Sequence, residues 1–587
     1  MIHTTHIPVM GISYTIDTPI RVAPFGIDST ISLVDNYLLE DLRAYYSQLH
    51  QLPYKKIPRN EEDGCAKRVT AYLNMVHLLA TKRFKEIKQL PYEVGNDKEK
   101  YFKLLPVSHP LRLEFEKIIS QEPSENRSLA EAALNEKMYM GSIDVNIMVK
   151  LDYKEVAHDA LRGFANSDIQ HGAIVFSAGV NLGLFKDLVQ YPDFYRTKEG
   201  LKKRIILKIS DYRSALVQGK FLAKRGLEVY EFRVESGLNC GGHAFATQGI
   251  LLPVALEELK QKRDTLSKTF YPLLKEFYET NGMDSSLLDP NREARFTVQG
   301  GISNSGENRR MLEYFGVDGT GWGTPFLTVP EACQLDENTL ELLRKAKAKD
   351  LYISDASPIG VPFNNIFGST AERERLKNIE SGSSGFPCVN GFLRSNTEFT
   401  EEPICTASKE YHKLKIAQIQ SSDKSIEEKK EEIKKVQAKE CICYFLGSPI
   451  RIAFGIKKPA QVPVSICPGP SLAFFNGPYT LLEMMGHIYG HGPNLTPDNK
   501  PHFFAEEIRL YVEWFVKEAK STTLEYAKWL HQAALNLYEN LDYCLSFLEK
   551  KAYPRENIQS IGEAVSHYKP ILVSAHNALK FKFQNQF

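Results

Sequence analysis

The sequence predicts an α/β fold: a TIM (β/α)8 barrel with an inserted helical block and a C-terminal, mainly helical domain. Two observations carry this. After residue 140, short apolar runs alternate with helical patterns: Ile143–Val149, Ala173–Ser177, Ile205–Ile209, Val229–Val234, Phe296–Val298 and Gly316–Trp322. Strand–helix alternation of this kind builds a parallel sheet, and near-continuous apolar strands are buried on both faces. With Ile20–Ala23, an apolar run broken by Pro and Gly, the count reaches seven; the eighth strand of a barrel is not visible in the pattern.

Taken in order, residues 1–50 hold the first strand and a helix from Asn36 to Leu49. Residues 51–138 stay helical throughout, an insertion or lid. Residues 139–380 complete the barrel, with crossover helices at Tyr212–Arg225, Pro253–Asn281 and Glu307–Phe315. Ser381-Gly-Ser-Ser-Gly385 opens a cysteine-bearing, loop-rich extension over 381–500, and 501–587 read as a helical bundle. Within these, the Lys/Glu run at 424–440 is a solvated helix face, and Trp514, Phe515, Tyr526 and Trp529 belong to a bundle core or subunit interface.

Composition narrows the partners. The 587 residues carry 73 Lys+Arg against 72 Asp+Glu, so net charge gives no argument for nucleic acid or an anionic membrane. Gly172–Phe185, the longest uncharged apolar stretch, is too short to span a bilayer. Met1–Tyr14 lacks the basic start and apolar core of a signal peptide. Nine cysteines, an odd number, suit a reducing cytoplasm better than a disulfide framework.

Three glycine clusters follow predicted strands. Gln299-Gly300-Gly301 ends one and Gly321-Trp322-Gly323-Thr324 ends the next. Glycines let backbone approach a ligand, and in TIM barrels a phosphate commonly sits in the loops after the last two strands. The alternative is that these glycines only make tight turns. The third cluster, Asn239-Cys240-Gly241-Gly242-His243, puts a residue able to exchange protons beside glycines that leave room for a planar ring. Lys208 ends another strand at a barrel-mouth position, followed by Asp211-Tyr212-Arg213.

In this order the clusters resemble the nitronate monooxygenase family (2-nitropropane dioxygenases), flavin-dependent TIM barrels. That family carries Glu-Ala-Gly-Gly-His, then Gly-Gly-Ile, then Gly-Thr followed by Phe-Leu and Glu. Here stand Asn239-Cys240-Gly241-Gly242-His243, Gly300-Gly301-Ile302, and Gly323-Thr324-Pro325-Phe326-Leu327 with Glu331. Thr18-Pro19-Ile20 with Ala23-Pro24 resembles the family's first strand, and Val145-Asn146 its Val-Asn strand end. The family's Glu-Ala is replaced by Asn239-Cys240. The resemblance implies FMN at the strand C-termini, with Ala23, Pro24, Asn146, Lys208, Gly242, Gln299, Gly300, Gly301, Gly321, Trp322, Gly323 and Thr324 as cofactor-binding candidates. It makes His243 the proton-transfer residue, with Cys240 as a second acid, a nucleophile or a packing residue. The function it implies is an FMN-dependent oxidoreductase acting on a small organic substrate, with NAD(P)H a candidate donor and a homo-oligomer expected. A flavin-dependent enoyl-type reductase on acyl chains is the second enzyme reading. A non-catalytic barrel used for binding is the third.

The cysteines add a separate expectation. Cys388, Cys405, Cys441, Cys443 and Cys467 crowd the extension, whereas the first 380 residues hold three. Four of them, Cys388, Cys405, Cys441 and Cys443, are candidates for an iron–sulfur cluster or zinc; unconnected buried thiols are the alternative. His487 and His491 read as structural, because Gly490 and Gly492 disfavour a helix through both.

Overall fold

A computed structural model describes residues 2–147, 154–177, 182–520 and 522–583. Eight parallel strands close a barrel: β1 Thr5–Ile7, β2 Asp28–Ser32, β3 Ile143–Ile147, β4 Ala173–Phe176, β5 Arg204–Ile209, β6 Val229–Glu235, β7 Arg295–Gln299 and β8 Gly319–Gly321. Neighbours in sequence are neighbours in the ring, and β1 closes it by pairing with both β2 and β8. The expected TIM barrel is therefore the observed one. Val149, expected in the β3 strand, and part of the Gly172–Phe185 stretch lie outside the described residues.

The start of the barrel differs from expectation. Ile20–Ala23 is not a strand: Thr18–Val22 is a helical turn, followed by a 3-10 turn Ala23–Phe25 that ends at Gly26 with φ 81°. Pro19 presets helical φ at the first turn and cannot donate to a sheet ladder. Arg21 meets Asp17 one turn back at 3.0 Å, a further helical tie. The two strands flanking this turn, β1 and β2, supply the two members that the remaining six lack. β1 has only three residues, too few to show a period of two.

Along each strand, alternate residues point outward to the helices and inward to the barrel axis. Outward stand Val145, Ile174, Leu207, Phe232 and Val298, all fully buried. Much of the interior is polar instead. Glu231 pairs with Arg233 at 2.8 Å and accepts from Thr297 Oγ1 at 2.6 Å. Against the cost of burial, Arg233 beside it holds the Glu231 carboxyl down to about 2.

The crossover elements follow. Helices α1 Asn36–Leu49 and α2 Gly64–Gln89 come after β2, α3 Lys154–Ala165 after β3, α4 Leu182–Asp187 after β4, α5 Tyr212–Ala223 after β5, α6 Leu252–Thr280 after β6 and α7 Ser305–Arg309 after β7. α2 packs on α3 so closely that a Cβ on Gly163 would lie 2.6 Å from Val69 Cβ. The rest of the 51–138 block reaches the opposite end from the mouth: Tyr101 donates to the Tyr139 carbonyl just before β3 and packs beside Gly26 just before β2. This block is outer wall and floor, and none of its residues lines the cavities at the barrel mouth.

The mouth is covered from downstream. A hairpin of β9 Leu351–Ser354 and β10 Phe363–Ile366 and the segment around Leu446–Ser471 lie over it. Ser13 N donates to Leu446 O at 3.2 Å, Tyr14 Oη to Ser465 O at 2.5 Å, and Gly242 N to Cys467 O at 3.0 Å. Helices α8 Phe503–Lys520, α9 Leu524–Leu545 and α10 Gln559–Lys582 form the expected bundle, with the Trp514 and Trp529 rings edge to face at 5.8 Å. The bundle shares one continuous apolar core with the barrel, running from Ile7 to Leu579.

Candidate functional site

The C-terminal ends of β3, β5, β6 and β7 and the loops after β1, β6, β7 and β8 converge on two adjoining cavities. The first is lined by the loop after β1 (Pro8 to Gly11), by Gln299, Gly300 and Gly301, and by Gly321, Gly323 and Thr324. The second is lined by Asn146, Lys208, Gly242, His243 and Phe363. Glu235, Cys240, Gly241 and Cys467 belong to both. Most of the sequence candidates are thus brought together.

The polar groups at the mouth are cross-linked. Lys208 Nζ lies 3.1 and 3.3 Å from the two Glu235 carboxylate oxygens, and Gln299 Nε2 donates to Glu235 Oε1 at 2.5 Å. Side chains from β5, β6 and β7 therefore fix one another, so Lys208 is held as a positioned cation. Asn146 differs: its Oδ1 is buried and has no hydrogen-bond partner among the described residues. An orphaned acceptor at a cavity wall is costly unless a ligand meets it.

The glycine loops have specific reasons to be glycine. Gly301 has φ 88°, and a Cβ there would fall 2.2 Å from Asn239 Nδ2. Asn239 in turn donates to Phe503 O at 2.9 Å, so the bundle holds this loop from behind. The amides of Gly301 and Gly323 meet no protein acceptor among the described residues. Thr324 Oγ1 accepts from Gly469 N at 2.9 Å, tying the cover to the β8 loop. Gly301→Val should destabilise the fold by about 1–3 kcal/mol through left-handed strain and the Asn239 clash. A urea midpoint equal to that of the unmutated chain would refute this reading of the loop.

His243 is half-buried. Its Nε2 lies 2.8 Å from Ser357 Oγ, and its ring packs edge to face on Phe363 at 5.0 Å. Burial lowers its pKa from 6.5 to about 4, so it is a neutral imidazole at pH 7. Cys240 lies deeper. Its Sγ meets Ser236 O at 3.0 Å, and burial followed by the Glu235 charge pushes the thiol well above its usual range. Burial and the Glu235 charge favour the neutral thiol over the thiolate at Cys240.

Three candidates lie elsewhere. Ala23 and Pro24 sit in the turn before β2, at the floor of the barrel. Trp322 is turned away from the cavities: its Nε1 donates to Thr320 Oγ1 at 3.1 Å and its ring is edge-on to His487. Several lining groups escape the sequence reading. The Pro8-Val9-Met10-Gly11 loop follows a strand too short to recognise, although its apolar run ending in glycine is the signal that marks the other loops. Glu235 sits one position beyond the expected end of its strand, and Ser357 and Cys467 come from the cover.

Among the described residues no group of three or more His, Cys, Asp or Glu side chains is placed to hold a metal ion. Neither an iron–sulfur cluster nor zinc at Cys388, Cys405, Cys441 and Cys443 is thereby supported. His487 is fully buried in the helix Leu481–Tyr489 and serves the structure, while His491 follows the Gly490 cap. No described helix is long and apolar enough to cross a membrane.

The geometry defines a closed parallel TIM barrel whose covered mouth joins glycine-rich loops, a neutral histidine and a positioned lysine. No known family model matches the chain, and no curated protein is similar to it in sequence. Among solved structures it is similar to FabK from Thermotoga maritima (14% identity, 63% of this chain and 82% of that one, TM-score 0.30). The enoyl reductase domain of MlnA from the macrolactin biosynthesis cluster of Bacillus amyloliquefaciens matches at 13% identity, over 72% and 89%, with a TM-score of 0.32. Nitroalkane oxidase from Streptomyces ansochromogenes matches at 12% identity, over 83% and 96%, with a TM-score of 0.34. Likenesses this distant carry no argument; the barrel rests on its own strand pairing.

Proposed function

We propose that the protein is an FMN-dependent oxidoreductase of the nitronate monooxygenase-like kind, acting on a small organic substrate. The observation that carries this is the convergence of the three glycine loops with Asn146, Lys208 and His243 at one mouth. The residues suit the cofactor: free Gly301 and Gly323 amides for a phosphate, and an unpartnered Asn146 Oδ1 for a ring N–H. When bound, FMN supplies the two-electron acceptor or donor that no side chain here provides.

The chain's own residues do the rest. The Gly300-Gly301 and Gly323-Thr324 backbone would hold the anionic end. Asn146 would orient the group through its unpartnered Oδ1, and Lys208, fixed by Glu235, would supply a positive charge at the same cavity. The cover of Phe363, Cys467 and neighbouring residues keeps water out. His243, neutral at pH 7, accepts a proton from the substrate at whichever ring nitrogen faces the cavity and returns it later.

The purified protein should be yellow, with about one FMN per chain. A colourless protein that FMN titration leaves unchanged would end the proposal. His243→Ala should keep its flavin and lose about 10²–10⁴-fold in kcat. Because the neutral imidazole is the working form, activity should hold as pH falls through 6.5 and drop only toward pH 4. A limb at 6.5 would contradict the buried environment. NAD(P)H bleaching the flavin rapidly would favour the enoyl-type reductase.

A further inference from the structure

A further cavity lies behind the mouth, between the β9–β10 hairpin and helix α8. It measures about 500 Å³, inside the ~300–1,000 Å³ usual for small-molecule sites. Ile353 and Pro362 of the hairpin, Pro470 and Phe474 of the cover, and Leu510 and Trp514 of α8 give it an apolar wall. Strand β10 is the partition between this cavity and the mouth. Pro362 and Asn364 line this side, while Phe363 between them lines the cavity that holds His243. Ala244 N donates to Pro362 O at 2.8 Å and Asn364 Nδ2 to Cys240 O at 2.7 Å, so the partition is fastened to the His243 loop.

The charges come from α8. Glu506, Arg509, Glu513, Lys517 and Glu518 recur three and four residues apart, on the face that carries Leu510 and Trp514. Both cations are already committed. Arg509 lies 3.0 Å from Glu506 and 2.8 Å from Glu513, and Lys517 lies 3.6 Å from Asp355. Glu518 is half-buried, and among the described residues it makes no hydrogen bond and no ion pair. Burial raises its carboxyl above the usual range, and the Asp355 charge adds to this against Lys517 and Lys435. An uncommitted carboxylate one helical turn from an indole ring is suited to a cation.

We propose that this cavity binds an organic cation with an apolar body: an amine whose ammonium meets Glu518 and whose hydrocarbon part packs on Phe474, Leu510 and Trp514. An anion would meet only an arginine and a lysine that carboxylates already hold. Three carboxylates against those two cations leave the lining net negative. The site stands on these contacts and not on the flavin reading.

The test is isothermal titration calorimetry of the full chain at about pH 7 with three probes: phenethylamine, a cation; phenylacetate, an anion; and benzyl alcohol, uncharged. Phenethylamine should bind saturably at about one per chain, and about tenfold tighter than either of the others. Glu518→Gln should weaken phenethylamine about tenfold and leave benzyl alcohol unaffected. Should that variant not fold, the probe series on the unmutated protein decides alone. Lys208→Met, in the mouth cavity, should leave the phenethylamine affinity unchanged. No saturable phenethylamine binding, phenylacetate binding equally well, or an unaltered affinity in Glu518→Gln would each overturn the proposal. A change of about tenfold in Lys208→Met would place the amine at the mouth and overturn it as well.

Discussion

Glu556→Ala is expected to lower stability by about 3–5 kcal/mol, because it strands a buried guanidinium. Arg310, in the π-helical turn after α7, is 1% exposed and meets Glu556 through two bonds, of 2.6 and 2.8 Å. His502 Nε2 adds a third contact at 3.1 Å. Burial alone would raise the Glu556 carboxyl, yet Arg310 and His502 hold it down to about 2. Removing the acid leaves Arg310 no partner of equal strength in an apolar surround. The double variant Arg310→Met, Glu556→Leu should recover most of the loss, since a well-packed apolar pair often equals a buried ion pair. Urea denaturation of the two variants beside the unmutated protein measures this. A single variant costing less than about 1 kcal/mol, the range of an exposed pair, would show that the bundle is not locked to the barrel here.

The second large effect is a pH dependence. His487 accepts from Leu495 N at Nδ1 (3.1 Å) and faces Ser303 O with Nε2 at 2.9 Å, so the neutral tautomer protonated on Nε2 satisfies both neighbours. Burial lowers its pKa from 6.5 to about 4. A depressed histidine pKa means that the unfolded chain takes up the proton first as pH falls. The stability His487 contributes is therefore full above 6.5 and lost as pH falls from 6.5 toward 4. Between pH 7 and pH 5 the loss is about 2 kcal/mol for this one residue. Other groups titrate in the same range, so the clean readout is the difference between the unmutated protein and His487→Gln. That difference should shrink by this amount between the two pH values. A difference independent of pH would show that the fold leaves the His487 pKa at its unfolded value.

What the sequence disclosed follows from length and chemistry. β5, β6 and β7 are five to seven residues long, apolar on their outward faces, and end in recognisable loops. The helix Ile426–Gln437 was legible from its Lys/Glu run, and the structure adds a capping box of Ser425 with Glu428 at its start. β1 and β8, three residues each, fell below any periodic signal. Thr18–Val22 misled because a buried helical turn and a buried strand share an apolar composition, and only Pro19 distinguishes them. At the site, glycines and His243 were legible because their types are unusual after a strand. Ser357, Phe363 and Cys467 were not, since they reach His243 and Gly242 from more than a hundred residues away by long-range contacts that no local pattern encodes.

The downstream origin of the cover has a consequence for how the chain is made. β1 leaves the ribosome long before β8 yet needs it before the ring can close. The mouth waits longer still, for Cys467 to reach Gly242 and for Phe503 to fasten Asn239. A nascent chain halted after the barrel would present an open, polar-lined hole with its glycine loops unsupported. The mouth is thus completed late in synthesis, by residues far downstream of the strands they cover.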